Sequence, residues 1–324
     1  MNNVSQPAQK PAPPKPPSKM LLTNVNRGIL HKPIRVLLFA TEGLGKTTWA
    51  SKAPSPIYIG TEDGTSNVDV TRFPEPTAWS DVFEALHVLT NDAHEFKTVV
   101  FDTVDWLEPL CWQAVSARAG VASLEDLSYG KGFSAALDEW RLLLARLEKL
   151  RVAKSMHVIM LAHAWIKPFK NPEGDDFDRY ELKLHAKSGG LLKEWVDAVL
   201  FGNYETFTHK TKQDRIKGLD SGARVVHTQR RAAWDAKNRY DLPETMPLDW
   251  EIFAEHVASH RPGEPAHIRK RIAQALADAP TLAADLAAKV KASVEKAGDD
   301  AAELARIADK LTGMIQTTTT EGTT

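Results

Sequence analysis

Apolar positions along this chain change period several times, and each change marks an element. Short continuous apolar runs occur at Val36–Ala40, Ile57–Ile59 and Val99–Phe101, then again at His157–Ala162 and Ala198–Gly202. Such runs are the signature of parallel strands buried on both faces. Between them the period lengthens. Trp79–Leu89 carries Val82, Leu86 and Leu89 on one side, and Asp105–Arg118 reads as a second helix. In Phe133–Leu150 the residues Phe133, Leu137, Trp140, Leu144, Leu147 and Leu150 recur at three- and four-residue steps, the clearest helix of the chain. After His163 the pattern changes. Trp165–Phe169 and Arg179–Leu184 predict a hairpin around the polar loop Asn171–Asp178, and Leu191–Val196 a short helix. Tyr204–Thr208 and Ala223–Thr228 predict a second hairpin with a basic connection. Strand–helix units followed by antiparallel strands predict a three-layer α/β sandwich with a β-hairpin extension.

The two ends differ from this core, which is expected to span residues 25–260. Residues 1–24 are rich in Pro, Ala, Lys and Gln with little apolar bulk, and are expected to form a flexible basic arm. Beyond Arg261–Pro265 the chain turns Ala-rich. Leu282, Leu286, Val290 and Val294 form one stripe, and Leu304, Ile307, Leu311 and Ile315 another, with Thr281 and Asp299 as N-caps. A small helical appendage is expected over 264–316, and a disordered tail over 317–324.

Composition narrows the class. With 324 residues, 43% hydrophobic and 26% charged, the chain can bury one full α/β core plus an appendage. No stretch approaches the ~18 apolar residues of a membrane span, and no signal-type apolar region follows the N-terminus, so a cytoplasmic location without membrane partners is expected. The single cysteine, Cys111, rules out an intramolecular disulfide and sits in an apolar stretch, as a small core residue in a reducing compartment would. A net charge of −1 excludes a uniformly basic nucleic-acid coat, but the charge is uneven. No acid precedes Glu42, and His209–Arg239 holds nine Lys or Arg against three Asp. Within that stretch Lys210, Lys212, Arg215, Lys217, Arg230 and Arg231 are candidate contacts to single-stranded DNA, with Trp234 and Tyr240 to stack on bases.

The sharpest chemistry lies in Ile34–Ala50, IRVLLFATEGLGKTTWA, where an apolar strand runs into a glycine loop that opens a helix. This is the layout of a phosphate-binding P-loop, in which Thr41, Glu42, Gly43, Leu44, Gly45, Lys46, Thr47 and Thr48 wrap the phosphates of ATP. Lys46 would reach the β- and γ-phosphates, and the Thr47 hydroxyl would ligate Mg²⁺. Ala40 replaces the first glycine of the motif. Asp102 closes the strand of FKTVVFDTVDWL and suits the Walker B role on the same Mg²⁺. The residue after it is Thr103, so the water-orienting base is sought elsewhere. Glu62, just past the Ile57–Ile59 strand in PIYIGTEDG, is the candidate, with Asp63 and Asp105 next and a turn acid the alternative. His163 at its strand end is either a sensor of hydrolysis or a structural histidine.

P-loop, Glu62, Asp102 and His163 in this order resemble a phage-encoded RecA-like ATPase. The similarity is to phage nucleotide-binding AAA-type proteins grouped with the Sak-type single-strand annealing recombinases. Tyr129–Phe133 (YGKGF) and Ala236–Pro243 (AKNRYDLP) add to it, and it covers roughly Leu30–His256. The resemblance implies a RecA-like fold and an ATP-dependent, Mg²⁺-dependent protein. It implies binding of single-stranded DNA, homo-oligomerisation as a ring or filament, strand annealing in phage recombination, and a location in the bacterial host cytoplasm. A phage single-strand-binding protein is a further partner of such proteins. RecA-like assemblies also supply a cation to the neighbour's γ-phosphate, and Lys237 and Arg239 are the candidates for that role in trans. A replication loader or motor ATPase, and a nucleotide-dependent switch that binds a protein partner and no DNA, are the alternative function classes.

Overall fold

The computed structural model describes residues 20–25, 30, 32–210, 216–260, 263, 265–279 and 284–321. It divides into two units, Met1–Leu30 and His31–Thr324. In the first, Leu22–Asn24 form one 3-10 turn and Met20 to Val25 are exposed. The second opens with β1 (Arg35–Ala40), α1 (Lys46–Ser51), β2 (Pro56–Gly60), β3 (Thr71–Arg72), α2 (Trp79–Asn91) and β4 (Thr98–Asp102). It continues through α3 (Val104–Ala119), α4 (Lys131–Lys154), β5 (His157–Phe169), β6 (Phe177–Leu182) and α5 (Ala186–Trp195). Then come β7 (Ala198–Lys210), β8 (Ile216–His227), β9 (Lys237–Asn238), β10 (Thr245–Pro247) and α6 (Trp250–Ser259). The last elements are α7 (Pro265–Asp278), α8 (Ala284–Ala297) and α9 (Ala301–Glu321).

One sheet organises the core. Its order is β10-β8-β7-β1-β5-β4-β2-β3, parallel from β7 to β3 and antiparallel at β8 and β10. Side chains alternate across each strand, so neighbouring residues feed different layers. On β1, Leu37 and Phe39 join Trp79, Leu86, Leu107, Trp140 and Leu147 beneath α2, α3 and α4. Val36 and Leu38 join Trp49, Tyr58, Trp250 and Phe253 on the opposite face, beneath α1 and α6. Each fully buried Leu or Phe of this kind contributes roughly 1.5–3 kcal/mol relative to leaving it in water. This is the three-layer α/β sandwich expected from the apolar runs. Cys111 is a buried core residue, and burial pushes its thiol up to about 12. No helix among the described residues is long and apolar enough to cross a membrane.

Several elements depart from expectation. The two hairpins are not separate additions. β5 continues past His163 to pair with β6, from Ala164 opposite Leu182 to Phe169 opposite Phe177. β7 likewise continues past Gly202 to pair with β8. No turn residue interrupts His163–Ile166 or Gly202–Phe207 strongly enough to end the strand, so each core strand carries straight out into its hairpin. Helix α5 starts at Ala186 rather than near Leu191, because the close packing of Gly189 against Leu182 and Leu184 offsets its poor helix propensity.

In the appendage, α7, α8 and α9 bury Ile268, Ile272, Val290, Leu304, Ala308 and Leu311 together. Asp300, not Asp299, caps α9, accepting the N–H groups of Ala302 at 2.9 Å and Glu303 at 3.1 Å. The Asp299 carboxylate is drawn instead to Arg269, at 2.8 Å. Thr281 and Leu282 lie outside the described residues. Helix α9 also runs on through the threonine run to Glu321, where a tail was expected. Threonine is a poor helix former but not a breaker, and the first glycine beyond Gly313 is Gly322.

Candidate functional site

Strand register brings the chemistry to one edge. Ala40 at the end of β1 lies opposite His163 on one side and Gly202 on the other. Asp102 at the end of β4 lies opposite Leu161 and Gly60. The P-loop, His163, Asp102 and the segment after β2 therefore converge beyond the carboxyl ends of parallel strands, where open α/β sheets place their ligands.

The loop from Thr41 to Gly45 is held from several sides. Gly43 and Gly45 have φ of +72° and +99°, the left-handed region that turns backbone N–H groups toward an anion at least cost to glycine. Leu44 sends its side chain into the core, fully buried, so only its backbone can serve the loop; Glu42 and Thr48 are exposed. A Cβ on Gly202 would stand 2.6 Å from Leu44 Cδ2 and 3.0 Å from Ala40 Cβ. The alanine at the first motif position is thus accommodated by a glycine on the adjacent strand. Gly202 was not singled out in the sequence, where nothing marks it as different from any strand glycine.

Lys46 is buried, and its ammonium donates to Thr41 O at 3.3 Å. Burial pulls its pKa down, against the opposing pull of Glu62, Asp102, Asp105 and Glu42. The Thr47 hydroxyl donates to Asp102 Oδ2 at 2.7 Å. Asp102 is 1% exposed, and its other oxygen, Oδ1, has no hydrogen-bond partner. Burial raises the Asp102 pKa, with the Thr47 hydroxyl and Lys46 opposing. A buried carboxylate with a spare oxygen beside a hydroxyl is a donor set that fits Mg²⁺, which takes one or two carboxylates and fills its remaining positions with water and substrate phosphate.

Glu62 is positioned by its neighbour. Thr61 N–H donates to Asp102 O at 2.9 Å, the Thr61 hydroxyl donates to Thr103 O at 2.7 Å, and Thr103 N–H returns a bond to that hydroxyl at 3.1 Å. This stitch locks the end of β2 to the end of β4. Glu62 Oε1 then lies 4.0 Å from His163 Nε2. Burial pushes the Glu62 pKa up and nearby Asp102 and Asp105 push the same way, while His163 and Lys46 pull it down. The Asp63 side chain lies outside the described residues.

Asp105 is the member of this cluster whose part the sequence did not reveal. Its Oδ2 lies 2.9 Å from His163 Nδ1, and its Oδ1 accepts His163 N–H at 3.0 Å. Burial pulls the Asp105 pKa up, but these bonds outweigh it and hold the carboxyl below its ordinary range. An ionised carboxylate only accepts, so Nδ1 carries the proton and Nε2 is turned toward Glu62. The result is a chain Asp105–His163–Glu62 that no local motif announces, because its members come from α3, β5 and the segment after β2. Replacing Asp105 by Asn should cost about 1.5–3 kcal/mol, as expected for a charge-assisted hydrogen bond. With the folded pKa below the unfolded one, the contribution is fully present above the unfolded value and is lost as pH falls through the folded value. Melting temperatures of both proteins from pH 7 to pH 3 should therefore converge toward the acid end; a constant gap would contradict the assignment.

The remaining candidates fall elsewhere. Lys237 does not face a phosphate: its ammonium donates to Lys193 O at 3.0 Å, Glu194 O at 2.8 Å and Val196 O at 2.7 Å. All three protons are spent on the end of α5 in its own chain, so Lys237 is a helix cap rather than a finger. Arg239 lies 3.4 Å from Asp197, which also holds Arg35 at 2.6 Å and the Tyr240 hydroxyl at 3.2 Å. With Asn238 accepting the N–H groups of Tyr240 and Leu242, the AKNRYD segment is an architectural knot at the amino end of β7, away from the P-loop edge. Trp234 is not a free stacking platform either; it stacks on His227 at 4.3 Å and bonds Gln229 O. Arg231 pairs with Glu244, and Arg230 is exposed at 3.9 Å from Asp235. Lys212 and Arg215 lie outside the described residues, and of Lys210 and Lys217 only the backbone is described, at the far end of β7 and β8.

Residues 32–240 match the family described as AAA domain (AAA_24). No curated protein matches the chain. Among solved structures, the crystal structure of the RadB recombinase is similar, at a TM-score of 0.35 and 14% identity over 62% of this chain and 84% of that one.

Proposed function

This chain belongs to the AAA domain family of P-loop ATPases, and on that premise we propose that it hydrolyses ATP in a cycle coupled to single-stranded DNA, whose annealing it promotes. The observation that carries the nucleotide part is the Thr47–Asp102 bond at 2.7 Å with Asp102 Oδ1 buried and unpartnered beside it. Thr47 and Asp102 would hold Mg²⁺, which supplies charge neutralisation at the β- and γ-phosphates. Lys46 binds the same phosphates, and Glu62 orients and deprotonates the attacking water. His163 belongs to β5 and stands beside Glu62, so its approach to Glu62 reports the state of the phosphate end to the β5–β6 hairpin.

That hairpin supports the DNA part. Directly beyond His163 it exposes Trp165 and Ile166, and Lys167 Nζ sits 3.6 Å from the Trp165 ring centroid. An exposed aromatic paired with a cation is a sequence-tolerant platform for a base and its phosphate. The basic connection of β7–β8 is the second candidate surface. We read the working form as a homo-oligomer, ring or filament, in which exposed Arg239 is the residue of the AKNRYD knot able to meet a neighbour.

The deciding experiment is a titration of ATPase rate with single-stranded DNA, followed by annealing of complementary strands. Stimulation and annealing together support the proposal. Stimulation by a helicase alone would indicate a loader, and nucleotide binding indifferent to DNA would indicate a switch. DNA affinity should also fall with salt, by roughly −0.7 in log–log slope per neutralised phosphate. Replacing Lys210, Lys212, Arg215 and Lys217 together should flatten that slope. If it stays unchanged, the DNA path runs over the N-terminal arm or the Trp165–Leu184 hairpin instead.

A further inference from the structure

The proposed nucleotide site has a lysine, a cation-binding acid and a base, yet Lys237 is unable to supply a further positive charge. A different residue stands at the P-loop. Arg224, on β8, places Nη1 2.9 Å from the point where a Cβ on Gly45 would lie, so the guanidinium rests directly over the backbone of the loop. A Cβ at position 45 would push this guanidinium aside. Arg224 is exposed, so its charge faces the mouth of the site rather than the core.

Its placement is built into the sheet. Arg224 pairs across the ladder with Tyr204, and the β7–β8 register shifts between Tyr204 and Thr206. Such a bulge re-aims the side chains beside it. On the other side Leu248 N–H donates to Arg224 O at 2.9 Å, so the Arg224 backbone is fixed from both flanks. The Tyr204 hydroxyl reaches Gly43 O at 3.4 Å, a second contact from the same hairpin to the same loop. The base of β7–β8 therefore lies on the P-loop, while its outer end carries the basic connection.

We infer that Arg224 is a phosphate ligand supplied in cis, closing over the phosphate chain of a nucleotide held by Gly43, Gly45 and Lys46. The inference rests on the nucleotide reading above and adds a residue to it. A guanidinium suits this role because it stays charged and offers a planar fork of donors that a lysine lacks. Because Arg224 belongs to the β7–β8 hairpin, phosphate occupancy and the position of that hairpin become linked.

The test measures binding of a fluorescent ADP analogue in Mg²⁺, and of ATP by competition, for the full chain. Arg224→Ala is expected to weaken both at least tenfold, with an unchanged melting temperature since the side chain is exposed. Arg224→Lys should recover part of the loss, whereas Arg224→Met, similar in length but uncharged, should recover none. Equal affinity of Arg224→Ala and the native chain would overturn the inference. So would equal behaviour of the Lys and Met variants, which would mean that bulk and not charge matters. A native chain that binds neither nucleotide, or a Lys46→Ala chain that binds both as well as the native one, would overturn the nucleotide reading and this inference with it.

Discussion

Lys46→Ala is expected to abolish ATP hydrolysis while leaving a folded protein. The side chain is buried, but its ammonium makes one long bond, to Thr41 O, and no part of it belongs to the two hydrophobic clusters flanking the sheet. Little packing is lost on truncation. What disappears is a positive charge beside the phosphates, in a pocket already crowded with Glu62, Asp102 and Asp105. Removing one preorganised group that stabilises developing charge typically costs on the order of 10²–10³ in turnover. Here the loss should exceed that, because the remaining acids would also repel the nucleotide. Steady-state hydrolysis by a variant whose melting curve matches the native chain is the measurement. Native turnover in such a variant would refute the P-loop reading.

Glu62→Gln should separate binding from chemistry. The amide keeps the shape of the carboxylate and cannot accept a proton from water, so nucleotide affinity should persist while turnover falls by roughly 10²–10⁴. The pH dependence follows from the same geometry. Burial, aided by Asp102 and Asp105, raises the Glu62 pKa. The protonated acid is no base, so the acid limb of the native rate profile should lie above the ordinary carboxylate range. As pH rises through that raised value, activity should appear. In Glu62→Gln the residual rate should lose this limb. A variant that keeps both native turnover and the native limb would move the base elsewhere, with Asp105 disfavoured by its commitment to His163.

How much of this site could be read from the chain depends on whether a residue's role is local. Gly43, Gly45, Lys46 and Thr47 are contiguous or nearly so, and their chemistry follows from spacing alone, since a turn that leads into a helix must present its N–H groups and its lysine together. Asp102 was legible because a buried strand that ends in an acid places that acid at the sheet edge. The fold class was legible for the same reason: short apolar runs alternating with helical periods admit few arrangements. By contrast, the hairpins were located but not their continuity with β5 and β7, because periodicity does not say whether one strand ends before the next begins.

Residues whose roles depend on partners distant in sequence were beyond that reading. The AKNRYD segment looked like a source of cations for a neighbouring subunit, but proximity to the end of α5 and to Asp197 turns Lys237 into a cap and Tyr240 into a tie. Trp234 looked available for bases until the fold laid it against His227. Asp105 gained its meaning from strand order, which sets β5 beside β4 and so brings His163 to it. Arg224 and Gly202 did so through the placement of β7 against β1. Sequence by itself determined the central strands β1, β2, β4, β5 and β7, the glycine loop and the acid at the sheet edge, because each is specified by neighbours along the chain. Only the tertiary structure decided which histidine, which arginine and which glycine stand beside these residues, since hydrogen bonds and close contacts are settled by distance in space and not by separation in sequence.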